Sequence, residues 1–404
     1  MSERKLYVGV DLRDAVTQIA VWGPSQDGPE VLTVKEGDGG ETPYIETAVA
    51  VPGSEQIVRG FLAKIAAQEP VSIEGRESDP VNILAAFFRK TLSMTKKTYP
   101  RESIKKLVVT AEYDDYRFIS AVFQALEKLG IDKDRALVVD RRQSYVYYVM
   151  SQKKELWVNQ VGMFEFQKDR LVYFQMQTDR SRKPMLVRVF EKDYRDYAEL
   201  LSGEEHSEEE KASIFEGMVQ GAIHGQIITS LYMTGAGFAD GFADDVMKRL
   251  CIGRHLFQGD NLYVCGACYM AGEAGGENKI DPFVYLGEDM VCSYISIQVY
   301  TDAKEQDILL VKAGIPWYQI DKELDLIPDG DHELELHIKN AVTREKTVHF
   351  IPMEGIWGRT DRKARISMRI RFAGADRCII TVRDKGFGEM FPSSYRIWEE
   401  TIML

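Results

Sequence analysis

Residues 7–22 read "YVGVDLRDAVTQIAVW", and the fold is predicted from this stretch. Two apolar runs rich in β-branched residues flank the polar pair Arg13 and Asp14. Two strand-like runs joined by a short polar segment predict a β-hairpin. We expect this hairpin to belong to a sheet and to present its turn to a cleft.

The segments that follow mix helical and strand patterns. Asp79 before Pro80 is typical of a helix start, with an N-cap residue and a proline in the first turn. "KKLVVTAEY" (residues 105–113) predicts a buried strand, and the apolar periodicity of residues 114–130 predicts a helix that stops at Gly130. A further strand, "RALVVD", follows. This order favours an α/β sheet with helices packed against it.

The second half of this region contains a glycine loop. Residues 157–190 predict antiparallel strands, and Ser207 with Glu210 predicts a capping box at the start of a helix. Then "LYMTGAGFADGFADDVMKRL" (231–250) reads as an apolar run, a loop and an amphipathic helix. Gly235 and Gly237 are candidate ligand contacts, because such a loop exposes amides at a helix N-terminus. The alternative is that they only allow the loop to pack closely on the sheet.

The pattern changes beyond residue 285. Alternating segments such as "CSYISIQVY", "HELELHI" and "RCIITVR" are separated by turn residues, which predicts an antiparallel β-sandwich. We therefore predict a domain over residues 1–284, with lobes of about 1–150 and 151–284, and a β-sandwich over residues 285–404.

Composition excludes several classes of function. The 404 residues are 45% hydrophobic, and their net charge of -12 is spread along the chain, which argues against nucleic acid as a partner. No apolar run approaches the ~18 residues of a membrane span, and the N-terminus carries no apolar signal core. We expect a cytoplasmic protein without membrane contact.

Metal and catalytic motifs are not apparent in the sequence. Five cysteines are an odd number, which argues against a disulfide framework. Cys265 and Cys268 form a CxxC without a second pair, so we interpret them as part of a buried helix, with metal or redox chemistry as the alternative. The six histidines, among them His332 and His337, have no catalytic spacing. We predict no catalytic residue and no metal ligand.

Six stretches in order resemble the actin-like ATPase superfamily, and in particular the seventy-kilodalton heat-shock chaperones of the DnaK type. Residues 7–22 resemble the first phosphate hairpin, "TPYIETAVAV" the segment after it, and "LVVTAEYDDYRFISAVFQALEKLGI" the next strand and helix. "VVDRRQSYVYYV" and "GDNLYVCGACYMA" are similar to the two connecting helices, and residues 232–250 to the adenosine motif. "ILLVKAGIPWY" through "ITVRDKGFGEMF" resembles the β-sandwich substrate domain.

The resemblance implies a fold and a set of site residues. It implies a two-lobed ribonuclease H-like α/β domain followed by an all-β sandwich. It places Asp11, Asp140 and Glu165 where the family binds nucleotide with Mg²⁺, together with Gly235 and Gly237. ATP or ADP with Mg²⁺ is the cofactor that it implies.

The sequence departs from the family where phosphates would bind. The tip of the first hairpin is Arg13-Asp14-Ala15 instead of Gly-Thr-Thr, and "EFQKDRL" replaces the second glycine-rich turn. The loss of both glycine turns removes most of the backbone cradle on which phosphoryl transfer depends. Residues 191–229 are shorter than the adenine-clamping subdomain, and residues 392–404 are too few for a helical lid. Arg13 and Lys168 could bind an anion or be solvated surface residues.

Two functions of different class follow from these observations. The first is a degenerate DnaK-like protein without hydrolysis, a binding or scaffolding module that contacts protein or peptide partners through β-sandwich edges. It needs no cofactor. The alternative is an active or slow ATPase in which Asp11, Asp140 and Glu165 hold hydrated Mg²⁺. A filament subunit is disfavoured by the β-sandwich.

Overall fold

The computed structural model describes residues 5–23, 26–35, 39–51, 53–113, 115–167, 169–239, 241–301, 303–328, 333–354 and 364–404. The chain divides into two compact units. The first comprises Met1–Thr178 and Val189–Pro282, and the second comprises Asp179–Arg188 and Phe283–Leu404. The fold is mixed α/β, with helices and strands in the first unit and mainly strands in the second.

The first unit begins with strands that are followed by alternating helices and strands. In chain order these are β1 (Lys5–Leu12), β2 (Val16–Trp22), β3 (Glu30–Val31), β4 (Val34–Lys35), β5 (Glu41–Thr42), β6 (Ile45–Glu46), β7 (Val49–Ala50), β8 (Ile57–Val58), α1 (Phe61–Ala67), β9 (Val71–Ile73), β10 (Arg76–Ser78), α2 (Pro80–Thr98), β11 (Ser103–Ala111), α3 (Tyr116–Glu127), β12 (Ala136–Asp140) and α4 (Arg141–Ser151).

The unit continues with a second set of strands and helices. These are β13 (Gln160–Gln167), β14 (Arg170–Asp179), β15 (Met185–Asp193), α5 (Arg195–Ser202), α6 (Glu208–Ile223), β16 (Ile228–Thr234), α7 (Asp244–Leu250), β17 (His255–Gln258) and α8 (Leu262–Ala274).

Two sheets of the first unit have the same connectivity. The first contains the run β3-β2-β1-β11-β12, with β6 also paired to β2, and the second contains the run β15-β14-β13-β16-β17, with a sixth strand beside β15. In each, the central strand pairs antiparallel with the next strand along the chain and parallel with a later strand. Two hairpins therefore begin at the carboxyl ends of the two central strands, β1 and β13.

Local sequence signals account for most of these elements. The hairpin predicted from residues 7–22 is confirmed as β1 and β2. The side chain of Asp79 accepts a hydrogen bond from the amide of Val81 and begins α2, as predicted. The capping box of Ser207 and Glu210 is confirmed at the start of α6. Cap residues satisfy amides that the first helical turn leaves unpaired, so they locate helix starts reliably.

Glycine allows α8 to lie very close to its neighbours. A Cβ at Gly266 would lie 1.9 Å from the carbonyl oxygen of Ser144 in α4. A Cβ at Gly9 of β1 would lie 2.4 Å from the amide nitrogen of Cys268. The apolar faces of α8 and the first sheet share a core that includes Trp22 and Val264. The helix predicted from the small residues of "NLYVCGACYMA" is therefore confirmed and buried.

The second unit contains two antiparallel sheets that share a core. Its strands are β18 (Phe283–Tyr285), β19 (Ser293–Thr301), β20 (Lys304–Val311), β21 (Asp321–Leu326), β22 (Glu333–Asn340), β23 (Lys346–Pro352), β24 (Ile366–Gly374), β25 (Arg377–Asp384) and β26 (Ile397–Met403). The sheets have the orders β20-β19-β22-β23 and β21-β24-β25-β26. Inward residues of both sheets, such as Leu336 and Ile380, form one cluster.

Residues 179–188 belong to the second unit, although they precede the rest of that unit by about a hundred positions in the chain. Met185, Leu186 and Val187 pair in parallel with β18. Leu186 is buried in a small cluster with Val284 and Leu286. Our sequence interpretation assigned this segment to the lobe 151–284.

Candidate functional site

Charged side chains from both sheets of the first unit meet at the ends of their central strands. Asp11 lies near the carboxyl end of β1, and Glu165 lies near the carboxyl end of β13. Arg13 follows β1 directly, and Arg141 is the first residue of α4. Tyr263 lies in the first turn of α8. These five residues are called the cleft cluster below.

Arg13 turns back onto Asp11. Its Nε donates a hydrogen bond of 2.7 Å to Oδ2 of Asp11, and its Nη2 lies 2.5 Å from the same oxygen. Asp11 is fully buried, and only 8% of Arg13 is exposed. The side chain that we considered as an anion ligand therefore neutralises the aspartate within its own hairpin.

Arg141 joins the two strand ends. Its Nη1 donates a hydrogen bond of 2.6 Å to Oε1 of Glu165, and its Nε lies 3.8 Å from Oδ1 of Asp11. Its guanidinium carbon lies 4.0 Å from the centre of the Tyr263 ring, a cation–π contact. The hydroxyl of Tyr263 donates a hydrogen bond of 2.6 Å to the other carboxylate oxygen of Glu165.

The electrostatics of the cleft cluster stabilise its charged form. Burial acts to raise the pKa of Glu165, but Arg141 and the hydroxyl of Tyr263 outweigh it, so this pKa is lowered. Burial acts to lower the pKa of Arg141, and Glu165 and Asp11 reverse this, so it is raised. Two guanidinium groups thus face two carboxylates, and the buried cluster is neutral as a whole.

Asp140 has a structural role at the start of α4. Its carboxylate accepts a hydrogen bond of 2.6 Å from the amide of Gln143. The side chain is therefore the N-cap of the helix, where a carboxylate also interacts favourably with the helix dipole. The next residue, Arg141, is thereby held at the first position of α4, where it contacts Asp11 and Glu165.

The amide of the glycine loop is already bound. The backbone N–H of Gly235 donates a hydrogen bond of 2.8 Å to Oδ1 of Asp260, which also accepts one from Thr234. The hydroxyl of Tyr44 donates to the other oxygen of Asp260 at 2.6 Å. A short 3₁₀ turn, Ala236–Phe238, follows the loop, and α7 begins only at Asp244. The sequence pattern predicted that the loop leads directly into an α-helix. The structure has a 3₁₀ turn between the loop and α7 instead.

Both loop glycines pack against Phe166. A Cβ at Gly235 would lie 2.2 Å from the carbonyl oxygen of Phe166, and one at Gly237 would lie 2.4 Å from its ring. Gly235 also has a φ of +107°, a conformation that side chains disfavour. These contacts support the interpretation that the glycines allow close packing of loop on sheet.

Sequence reasoning did not identify Arg141, Tyr263, Asp260 or Tyr44 as site residues. Arg141 was part of a quoted helix, and its position was a usable signal, because it directly follows the strand that ends at Asp140. Tyr263 and Asp260 had no such signal, because their partners lie far away in the chain. The Lys168 position lies outside the described residues.

In the cysteine pair of α8, Cys268 is buried and Cys265 is half-buried. Burial raises the pKa of the Cys265 thiol to about 12 and raises that of Cys268 well above its usual value. A protonated thiol is a poor nucleophile and metal ligand. Within the residues described above, no three histidine, cysteine or carboxylate side chains are grouped as metal ligands.

Comparison with known proteins gives families instead of an activity. Among the described helices, none combines the length and the apolar character needed to cross a bilayer.

A search of curated proteins found no significant match. The profile "Domain of unknown function (DUF8552)" matches residues 290–404. The profile "Family of unknown function (DUF5716) C-terminal" matches residues 44–288, more than half of the chain, so this protein belongs to the DUF5716 family.

Proposed function

We propose that the first unit has the actin-like ATPase architecture in degenerate form. Three features support this assignment: the repeated strand order of its two sheets, the hairpins at the ends of β1 and β13, and the close packing of α4 on α8. Two similar lobes that meet at the ends of their central strands would enclose a nucleotide cleft. In this assignment the cleft cluster would lie at this position.

We further propose that this cleft is closed by its own side chains and neither binds nor hydrolyses nucleotide. The observation that carries the proposal is the pairing of Arg13 with Asp11 and the position of Arg141 between Asp11 and Glu165. Arginine carries a permanent positive charge at these positions, as a metal ion would. Magnesium binding would place a second cation against carboxylates that are already paired.

The donor set does not fit a nucleotide with Mg²⁺. A triphosphate needs free backbone amides, but the amide of Gly235 is bound to Asp260. Hydrated Mg²⁺ needs carboxylate oxygens, but Asp140 caps α4 and Glu165 receives hydrogen bonds from Arg141 and Tyr263. No glycine lies at the tip of the first hairpin, so phosphates could not approach its backbone closely.

The function that these features support is that of a non-hydrolysing binding or scaffolding module for protein partners. The second unit would supply the contact surface, because its sheets end in the edge strands β20, β23, β21 and β26. On β23, Val348 and Phe350 are 49% and 48% exposed. An exposed edge strand can pair with an extended segment of another protein.

The alternative, a slow ATPase, requires the cleft cluster to separate before nucleotide enters.

Phosphate release from ATP and the nucleotide content of the purified protein test the proposal. The protein is isolated without added nucleotide and denatured, and the supernatant is analysed by chromatography. We expect no nucleotide and no phosphate release above that of a sample denatured beforehand. A stoichiometric nucleotide, or turnover that Glu165→Gln abolishes, would overturn the proposal in favour of the ATPase.

A further inference from the structure

Among the described strands of the second unit, one edge strand lacks the charges that the other edge strands carry. β20, β21 and β26 each contain two or more carboxylate side chains. On β23, residues 347–352 include no lysine, arginine, aspartate or glutamate. Charged side chains on an edge strand discourage its pairing with another chain, and this protection is missing from β23.

The backbone of β23 has one side that is open to a further strand. β23 pairs antiparallel with β22, and no other strand within the described ranges pairs with it. At the turn between the two strands, the amide of Asn340 donates a hydrogen bond of 3.0 Å to the carbonyl of Glu345. Antiparallel ladders alternate hydrogen-bonded pairs with pairs whose N–H and C=O groups point away from the partner strand. The outward-pointing groups of β23 therefore belong to Lys346, Val348 and Phe350.

The side chains at these alternate positions are exposed and mostly apolar. Val348 and Phe350 are half-exposed, and Pro352 follows at the next outward position. A proline there costs no hydrogen bond to β22, because its missing N–H would point away from that strand. The alternation continues past the end of β23, where Met353 is buried and Glu354 is exposed. The open edge thus has an apolar centre and ends in a carboxylate.

We propose that β23 pairs antiparallel with β23 of a second copy of this chain, about a two-fold axis at Phe350. This register places Phe350 opposite the same residue of the second copy, and Val348 opposite Pro352 of the second copy. It also places Lys346 opposite Glu354 of the second copy, so the charges at both ends of the new ladder are complementary. A two-fold interface has to be self-complementary in this way.

Charge and shape distinguish this register from the neighbouring one. A two-fold axis at His349 would also match outward-pointing backbone groups, but it would place Lys346 opposite Pro352, without a carboxylate. Aromatic pairs and opposite charges directly across an antiparallel ladder stabilise it, and the axis at Phe350 provides both. The inference rests on the proposed use of the sandwich edges as contact surfaces, and it names the occupant of one edge.

Sedimentation equilibrium of the full chain tests the dimer. We expect a concentration-dependent equilibrium between monomer and dimer. Phe350→Lys places two positive charges opposite each other at the axis and should weaken dimerisation about tenfold or more, since like charges destabilise a strand pair. Leu309→Lys is the matched control, because Leu309 is a similarly exposed apolar residue on β20, the opposite edge of the same sheet. It should leave dimerisation unchanged.

An exchange of the two end charges tests the register at exposed positions that the folded core does not need. Lys346→Glu and Glu354→Lys should each weaken dimerisation about threefold or more, because each places like charges opposite one another at both ends of the ladder. The double variant restores opposite charges, and its dissociation constant should return to within about twofold of the wild-type value.

Three results would overturn the proposal. A chain that stays monomeric would do so, and β23 would then be left for an extended segment of another protein. A dimer that Phe350→Lys does not weaken would place the contact on another surface. A dimer that the double charge exchange does not restore would contradict the register. Nucleotide content and phosphate release test the proposed function separately, so a failure of the dimer is distinguishable from a failure of that function.

Discussion

Arg141 is the side chain on which the cleft cluster depends. It contacts Glu165, Asp11 and the ring of Tyr263, and only about a tenth of its side chain is exposed. A buried ion pair contributes little net stability, because desolvation offsets the attraction between its members. The removal of one partner is costly, because it leaves the other charge buried and unpaired.

The substitution Glu165→Gln should therefore destabilise the protein strongly. It leaves the charge of Arg141 without its closest partner, and we expect a loss of about 3 kcal/mol in the free energy of unfolding. Urea denaturation gives the value. Arg59→Gln is the control, because the Arg59–Glu46 pair is exposed and its loss should cost less than about 1 kcal/mol. Equal losses in the two variants would contradict the structural role of the cleft cluster.

Acid should weaken the wild-type protein more than the Glu165→Gln variant. Folding lowers the pKa of Glu165, so this residue contributes stability above the ordinary glutamate pKa of about 4.3 and loses it as the pH falls further. Glutamine does not titrate. We expect the urea midpoints of the two proteins to converge as the pH falls below about 4.3. Parallel curves would show that Glu165 is not held as a carboxylate.

At this scale the sequence identified part of the site. Asp11 and Glu165 were candidates because the resemblance to the chaperone family places them in its two phosphate hairpins. Tyr263 and Asp260 were not, because Tyr263 meets Glu165 across 98 positions and Asp260 meets Tyr44 across 216. Arg13 and Asp11 are only two positions apart in the chain. The orientation of the Arg13 side chain toward Asp11 depends on the burial of both residues, which the local pattern does not contain.

The packing of α8 depends on the small size of one of its residues, Gly266. Gly266 faces the backbone of α4 so closely that an added methyl group would separate the two helices. Glycine is otherwise unfavourable inside a helix, by roughly 1 kcal/mol relative to alanine. The contact with Ser144 therefore explains its presence there.

Gly266→Ala should lower the free energy of unfolding by about 1–3 kcal/mol or more, as overpacking does in cores. Gly217→Ala is a matched control, because Gly217 lies in α6 with nothing within 4 Å of an added Cβ. The control should be neutral or stabilising by up to about 1 kcal/mol, through helix propensity. Chemical denaturation of both variants tests this. A neutral Gly266→Ala would disprove the close approach of α4 and α8.

The ends of elements were predictable where a cap residue marked them. Asp79, Asp115 and Ser207 each accept an amide hydrogen bond at a helix start. The region after Gly235 was less predictable, because the pattern of residues 231–250 does not distinguish a 3₁₀ turn from the first turn of α7. The pairing of Gly235 with Asp260 depends on tertiary contacts, which the local pattern does not contain.

On the scale of the whole molecule, the second unit depends on a segment from the middle of the chain. Leu186 is 7% exposed and packs with Val284 and Leu286, while Arg182 donates to the carbonyl of Val342. This association was not predictable from periodicity, since residues 185–190 read as one more strand of the preceding sheet.

Leu186→Ala should loosen the second unit and leave the first unchanged. The loss of a buried leucine side chain costs about 2–5 kcal/mol. Hydrogen exchange followed by mass spectrometry should show faster exchange in peptides of β18 and β19 and unchanged exchange in peptides of β13. Val348→Ala, at a half-exposed position of the same unit, is the control and should have little effect. Faster exchange in β13 alone would contradict the division into units.

The composition of the cleft has a consequence for the protein as a whole. In the function that we propose, Arg13 and Arg141 take the positions that a metal and phosphates would occupy, and the first unit is then a static support instead of a nucleotide-driven switch. Isothermal titration calorimetry of the nucleotide-free protein with ATP and with ADP, each with Mg²⁺, tests this claim directly. We predict no heat beyond dilution for either nucleotide. Saturable binding in the micromolar range, weakened by bulky substitution of Gly235, would contradict it.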